Sequence, residues 1–458
     1  MNITVIGAGL AGSEAAWQLA RRGIQVRLVE MKPVRYSPAH GSEYLGELVC
    51  SNSLRSSSLE SAPGLLKEEL RIGGSLIMEA ADKTAVPAGK ALAVDRTLFS
   101  KFITRKIVEN SLITLERDEI RTVPPREDGS VIIATGPLTS DSLALGIAGL
   151  LGSEGLSFYD AIAPIVTADS LDMSRLFRAS RYGGEEGDYL NSAMDEATYR
   201  AFVQEILNAK KVDPYPFEDI PHFEGCLPVE ELARRGPETL AFGPMKPVGL
   251  VDPATGKRPF AVVQLRAENR GQTLYNLVGF QTKMTHPEQE RVFRMIPGLE
   301  NAVFARLGSI HRNTYIDAPR LLDEFSRSLA EPHVFFAGQI TGVEGYIEST
   351  ASGLAVGIMA GLLGKGVDPD LPPTVSALGA LMRHTRDQGA KRYEPMNVNF
   401  GIMDPPPPGT SKKRKKEVMA RRALDAIHEW KKSVDSQWER VGVEITPVSI
   451  KMKLNFHA

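Results

Sequence analysis

The chain opens on "ITVIGAGLAGSEAAWQLARRGIQVRLVEMK", residues 3–32, and no other stretch restricts the fold so tightly. Ile3, Val5 and Ile6 read as a short buried strand, and Gly7, Gly9 and Gly12 then supply G-x-G-x-x-G at the turn. Ala15, Ala16, Leu19 and Ala20 follow at helical spacing, and Gly23 ends that helix. Ile24 to Val29 read as a second strand that closes in Glu30. The three glycines do different things. Gly7 permits the tight turn, Gly9 admits a pyrophosphate close to the backbone, and Gly12 lets helix pack on strand. The helix N-terminus offers N–H groups and positive partial charge to the phosphates. Glu30 is placed to accept hydrogen bonds from both ribose hydroxyls, which disfavours a ribose 2'-phosphate and so NADP in this site. A lone G-x-G-x-x-G is weak, but strand, helix and acid at the right distances together predict a dinucleotide site.

Two distant stretches decide between FAD and NAD. "VIIATGPL" (131–138) is a hydrophobic strand that ends in Ala134-Thr135-Gly136. "HVFFAGQITGVEGYIESTASGLAVG" (333–357) is a strand, a glycine-rich loop around Gly338, Gln339 and Gly345, and a small-residue helix beginning at Tyr346. The trio, in this order, resembles the glutathione-reductase-type FAD fold. That resemblance implies that the last strand and loop reach the ribityl chain and isoalloxazine, with the helix after Gly345 aimed at the flavin N1/C2 edge. Many relatives of that fold carry Asp where this chain has Gln339.

The fold class expected is therefore α/β: a Rossmann-like FAD-binding domain, discontinuous over 1–160 and 331–404, with an inserted α/β domain at 161–330. Strands are expected in 259–269 and 272–280 and a helix in 287–296. After the proline run in "MDPPPPGT" a linker and a basic C-terminal helix fill 405–458. Residues 411–440 hold ten Lys/Arg against five Asp/Glu. That helix is either a solvated face or an RNA-contacting edge. The net charge of -2 gives no global field for nucleic acid, so any RNA must be held by local patches. Hydrophobic content of 42 % belongs to a soluble globular chain, and no signal peptide or membrane-spanning run is evident.

Cys50 and Cys226 stand 176 positions apart. They form no disulfide framework, metal cluster or CxxC pair, and a reducing cytoplasm is expected. A lone cysteine is most often a small buried hydrophobe. Here both sit beside polar or turn-forming residues, in "GELVCSNSLRS" and "FEGCLPVEEL". Each is placed where a loop can reach a flavin, one from either domain, which favours disulfide exchange or covalent catalysis. Exchange uses a CxxC-like pair, which is absent.

At these residues the resemblance becomes specific. "GAGLAGSEAAWQLA", "ELVCSNSLRS", "FEGCLPVEE", "GFQTKMTHPEQERVFRMIPGLENA", "HRNTYI" and "GQITGVEGYIESTASGL" together resemble the folate- and FAD-dependent tRNA uracil-54 C5-methyltransferase (TrmFO) family. The shorter flavin and glycine motifs are shared with its sister family, the wobble-uridine enzyme GidA/MnmG. That family's chain is longer and ends in a helical domain for a GTPase partner, which this chain is not expected to carry, so no obligate protein partner is expected.

Carbon 5 of uracil is a poor nucleophile until a thiolate adds at carbon 6, which calls for a thiol on a loop that can meet a base drawn out of its RNA stack. A thiol with pKa about 8.5 is only a few per cent thiolate at pH 7, so local activation is expected, with His222, Lys246 and Arg266 as candidates. The resemblance implies that 5,10-methylenetetrahydrofolate donates the carbon, that reduced FAD supplies the hydride, and that NADPH or NADH reduces the flavin. It implies Cys226 as nucleophile and Cys50 as general base or flavin-protecting thiol, although no sequence feature objects to the reverse.

Weaker candidates complete the set. Tyr346 stacks on flavin or pterin, or is an ordinary helix-start aromatic. Glu348 bonds a cofactor or caps the helix. His311 and Arg312 touch folate or flavin, or are structural. Lys283 and Arg266 hold the folate tail or RNA phosphate, or are solvated charges. Asn52 and Arg55 shape the Cys50 loop. The substrate expected is the T-loop of tRNA, with ribosomal RNA or a GidA/MnmG-like wobble modification as alternatives.

Overall fold

Short β-branched runs closed by glycine-rich turns build a five-stranded parallel sheet in the chain's computed structural model. It describes residues 2–152, 156–181, 187–212, 227–388 and 393–447; of residues 156–160, 311 and 312 it describes the backbone alone. The strand order is Val334–Phe336, Ser130–Ile133, Asn2–Ile6, Gln25–Glu30, Ile113–Arg117. Every neighbouring pair is parallel. Gln25–Glu30 and Ile113–Arg117 are added on one side of Asn2–Ile6 and Ser130–Ile133 and Val334–Phe336 on the other, so the topological switch lies at its C-terminal end, where α/β sheets of this kind bind their ligands.

One face of the sheet is covered by the helices Leu10–Ala20 and Tyr346–Gly364. Small residues bring these two backbones together: a Cβ at Gly357 would lie 2.8 Å from the Ala15 carbonyl oxygen. Tyr346–Gly364 is the one helix among the described residues long and apolar enough to cross a membrane, yet 89 % of its apolar window is buried. Its apolar character is explained by its place at the centre of the core, packed with Leu19, Leu70 and Trp438. The other face is packed by Leu143 and Ile147 of the helix Asp141–Leu151, with Tyr315, Ile316 and Leu322.

The inserted unit leaves and rejoins through one antiparallel ribbon, Leu156–Ala161 paired with Ile310–Tyr315. Tyr315, Ile316 and Ala318 already pack in the first unit's core, so the chain returns to it before residue 331. The insert is a six-stranded sheet in the order Leu176–Ala179, Tyr189–Met194, Ala261–Ala267, Leu274–Leu277, Ile165–Thr167, Phe304–Arg306. All its pairs are antiparallel. Tyr199, Phe202 and Ile206 of the helix Glu196–Asn208 and Phe293 of the helix His286–Phe293 build its core. The strands expected within 259–269 and 272–280 and the helix expected within 287–296 all appear.

The C-terminal helix, Lys415–Arg440, lays Met419, Ala423, Ile427, Trp430, Val434 and Trp438 on the first unit, against the helix Ala62–Ile72. Inside that helix Glu69 is fully buried and accepts hydrogen bonds from the Ala377 N–H (2.8 Å) and Leu378 N–H (2.7 Å), capping the helix Ala377–His384. Burial pushes its carboxyl up to about 8 from 4.5, against the opposing pull of those two N–H groups. The folded chain thus holds this proton more tightly than the unfolded chain. Its contribution to stability is largest below pH 4.5 and declines as pH rises toward 8. Glu69→Gln is expected to flatten the fall in stability between pH 6 and pH 8.5, measured by urea denaturation; an unchanged pH slope would exclude Glu69 as its source.

Candidate active site

The turn after the first strand forms as its glycines require. Gly7 has φ +93, and a Cβ there would lie 2.7 Å from the Ala134 carbonyl oxygen. A Cβ at Gly12 would overlap the Gly7 carbonyl oxygen. At Gly9 a Cβ would meet nothing within 4 Å, because that residue faces an open cleft. Thr135, Gly136, Gln339 and Tyr346 also line it, as do Lys32, His40 and Glu47. Glu30 is buried at its rim, where its Oε2 accepts from the Ala8 N–H at 2.8 Å and its Oε1 from the Lys32 N–H at 3.1 Å. Those two bonds leave acceptor capacity on a fixed carboxylate.

The cleft fits FAD on these observations: a turn stripped of side chains where the pyrophosphate belongs, a helix N-terminus behind it, and a held acid at ribose distance along the second strand. At the far end, Gly338 (φ +82) has its N–H bonded to the Ser352 hydroxyl at 2.9 Å. Gln339 donates to Glu344 at 2.6 Å. Gly345 (φ +115) starts the helix Tyr346–Gly364 without a side-chain cap.

Cys50 sits at this far end, next to the cleft-lining Val49. The Tyr346 phenol oxygen accepts from the Cys50 N–H at 2.8 Å and the Ser51 N–H at 3.3 Å, and lies 3.1 Å from the Cys50 Sγ. Burial keeps the phenol protonated, pushing it well above its ordinary value. With its oxygen already accepting two N–H groups, the phenol's own proton is the one free to point at sulfur, and an O–H donor there favours the thiolate.

Three buried or largely buried guanidinium groups surround the same loop. Arg96 donates to the Leu48 carbonyl at 2.6 Å and pairs with Glu268 at 2.7 Å. Arg306 donates to the Val49 carbonyl at 2.8 Å. Arg266 donates through Nε to Asn52 and through Nη2 to Ser51, each at 2.7 Å. All three interact electrostatically with Cys50. Positive charge and a helix N-terminus beside a cysteine favour its thiolate.

Arg266 is not a solvated charge, because the strand Ala261–Ala267 is buried along its whole length. Its burial pulls the guanidinium below its ordinary value, and it acts on the Cys50 loop. Asn52 is buried too, donating to the Val94 and Ala267 carbonyls at 3.0 and 2.9 Å, and so joins the two units. Lys283 is also not a solvated charge: it pairs with Glu231 at 2.6 Å, on the helix Val229–Arg234. Glu348 is fully buried and faces Arg55 (3.4 Å) and the Val398 N–H (3.2 Å) rather than the cleft. Arg55 holds a left-handed φ of 66, a strained conformation for a side-chain-bearing residue. Cys226 and His222 lie outside the described residues. His311 and Arg312 fall in the ribbon strand Ile310–Tyr315, and their side chains are likewise not among those described. Arg96, Arg306 and Glu268 were missed by sequence reasoning, since an arginine whose partners lie far along the chain has no local signature.

The parallel sheet, the stripped glycine turn and the cleft behind it define a FAD-binding flavoprotein of the Rossmann-like class. Residues 2–368 match the family model described as "Glucose inhibited division protein A". Among curated relatives, the methylenetetrahydrofolate--tRNA-(uracil-5-)-methyltransferase TrmFO of Geobacter sulfurreducens is 59 % identical over 433 residues, covering 94 % of this chain and 99 % of that protein. The protein of the same name from Syntrophus aciditrophicus is 55 % identical, covering 95 % of this chain and 99 % of its own length. The chain therefore belongs to the TrmFO family and to the glucose inhibited division protein A family whose model it matches. A solved structure of Aquifex aeolicus GidA aligns with a TM-score of 0.70 at 16 % identity over 96 % of this chain and 78 % of that one, a likeness of fold.

Proposed function

We infer that this chain methylates carbon 5 of uracil in tRNA, with 5,10-methylenetetrahydrofolate as carbon donor and FAD as bound cofactor, and that its target is uracil 54 of the T-loop. Beside the family membership, one observation carries this reading: a cysteine loop locked at the far end of the dinucleotide cleft, with a phenol proton and three guanidinium groups directed at it. When bound, the flavin supplies the reducing equivalents that take the transferred carbon to a methyl group, renewed by NAD(P)H.

The residues of the chain do the rest. Cys226 adds its thiolate to carbon 6, which places electron density on carbon 5 for attack on the one-carbon unit. Cys50, as its thiolate, takes the proton from carbon 5 once the new carbon–carbon bond exists; loss of that proton allows Cys226 to leave and the ring to regain its double bond. Gly7, Gly9, Gly12, Glu30, Thr135, Gly136, Gly338, Gln339, Gly345 and Tyr346 hold the cofactor, and Lys283 steadies the segment that follows Cys226. Both thiols suit a reducing cytoplasm.

Purified chain alone, unmodified tRNA, labelled methylenetetrahydrofolate and NADPH make the test. Label is expected in wild-type tRNA, and a loss of at least about 100-fold in Cys50→Ala and in Cys226→Ala with flavin still bound, as for removal of a general base or a nucleophile. Label that persists in tRNA mutated at uracil 54, or in ribosomal RNA instead, would overturn the assigned target. Label undiminished in both cysteine variants would overturn the mechanism.

A further inference from the structure

The C-terminal helix carries a feature that packing does not explain. Lys412, Lys413, Arg414, Lys415 and Lys416 are consecutive and exposed, at the entry to and in the first turn of Lys415–Arg440. A helix N-terminus repels cations, through its free N–H groups and its dipole. This end is also uncapped by any side chain, and its first turn holds one acid, Glu417, which pairs with Arg414 at 3.4 Å. Five other helices are each capped by a side-chain oxygen, of Ser61, Ser75, Asp95, Asp195 and Ser376. The basic run thus opposes folding locally, and a polyanion bound there would relieve it.

The helix's register shows where this end lies. The Trp438 ring packs at Gly361 and the Gln437 side chain donates to the Asp368 carbonyl, both at the C-terminal end of Tyr346–Gly364. Higher up, His428 faces Glu68 electrostatically, while Lys67, one residue earlier, faces Glu348 in the first turn of Tyr346–Gly364. The two helices therefore run in the same sense. From His428 back to Lys415 the helix extends about 20 Å further, at 1.5 Å per residue. That carries the basic run beyond the end of Tyr346–Gly364 that bears Tyr346.

We propose that Lys412, Lys413, Lys415 and Lys416 form a docking surface for the phosphate backbone of the RNA substrate, outside the cleft itself. The proposal rests on the RNA-methylating function above. These residues position substrate without touching the reacting base, and phosphate contacts of this kind fix register rather than read sequence.

The test uses the full-length chain with the quadruple charge reversal K412E/K413E/K415E/K416E, none of whose positions packs in the core. tRNA binding is measured against salt concentration, with KM and kcat for methylation and NADPH reduction of the flavin. The KM for tRNA is expected to rise at least 10-fold, and the slope of log K against log salt to shrink by about 3–4, since each of the four lost phosphate contacts removes about 0.7–0.9. The kcat at saturating tRNA and the flavin reduction rate stay at wild-type values. An unchanged KM and salt slope, with wild-type methylation intact, would overturn this proposal alone. A wild-type chain that neither binds nor methylates tRNA would overturn the function it rests on, and the proposal with it. Loss of binding to phosphatidylserine vesicles with tRNA binding intact would assign the patch to an anionic membrane surface instead.

Discussion

Gly12→Val is expected to yield protein that purifies without the yellow of bound flavin. The added side chain must occupy the space of the Gly7 carbonyl oxygen, and even its Cβ would lie 3.3 Å from the Ala134 Cβ. Helix Leu10–Ala20 can only accept it by moving off the sheet, which takes its N-terminal N–H groups away from the phosphates. Overpacking of this kind costs about 1–3 kcal/mol, which as lost binding energy is roughly a 5- to 150-fold weaker Kd for FAD. Gly9→Ala separates the ligand from the fold. Its Cβ meets no protein atom, so the melting temperature of the apoprotein should match wild type while FAD affinity falls. Visible flavin absorbance after gel filtration and thermal unfolding of the stripped proteins check both variants. Full flavin occupancy in Gly12→Val would mean that the helix does not need its close approach to the turn.

The part of the site that depends on local chain geometry was legible in the sequence. Gly7, Gly9, Gly12 and Glu30 fall within one strand–turn–helix–strand unit, where spacing along the chain is spacing in space. The last strand and helix were legible for the same reason, through Gly338, Gly345 and Tyr346. The neighbourhood of Cys50 was not. Arg266 reaches Asn52 across 214 positions and Arg306 reaches Val49 across 257, and no periodicity encodes such a pairing. One further signal was present. In "AVVQLRA" a glutamine and an arginine interrupt an apolar strand on the same face, two residues apart. Strand periodicity puts Gln264 and Arg266 together, and charged residues are rarely buried without partners. An arginine inside such a strand points to a buried acceptor set, here Asn52 and Ser51, rather than to solvent. The insert, too, was legible as strands and a helix from its β-branched runs, while its ribbon of Leu156–Ala161 with Ile310–Tyr315 was not, because its strands are brought together by the fold of everything between them.

Arg266→Met should leave the flavin bound and still remove most of the activity. Methionine keeps much of the side-chain volume in a fully buried strand but ends both 2.7 Å bonds, leaving the Asn52 Oδ1 and Ser51 Oγ without their donor. Leaving a buried acceptor without its donor costs about 1–3 kcal/mol. Here that loss falls on the loop that positions Cys50, so kcat is expected to drop about 100-fold. The electrostatic effect has its own sign. Arg96 pairs directly with Glu268, whereas Arg266 and Arg306 bond neutral acceptors and interact with Glu268 and Glu47 only at longer range. Removing Arg266 therefore takes away positive charge that favours the Cys50 thiolate, while Tyr346 remains as its hydrogen-bond donor. In a Cys226→Ala background, where Cys50 is the sole thiol, the rate of iodoacetamide alkylation should fall near pH 7 and its pH profile should move to higher pH. Arg266→Lys keeps the charge but not the two-pronged geometry, since an ammonium is a point donor; it should restore the alkylation profile more fully than it restores kcat. If Arg266→Met instead leaves the alkylation profile in place and lowers only thermal stability, then Arg266 is a strut between the two units and the thiolate at Cys50 is held by Tyr346, Arg96 and Arg306 without it.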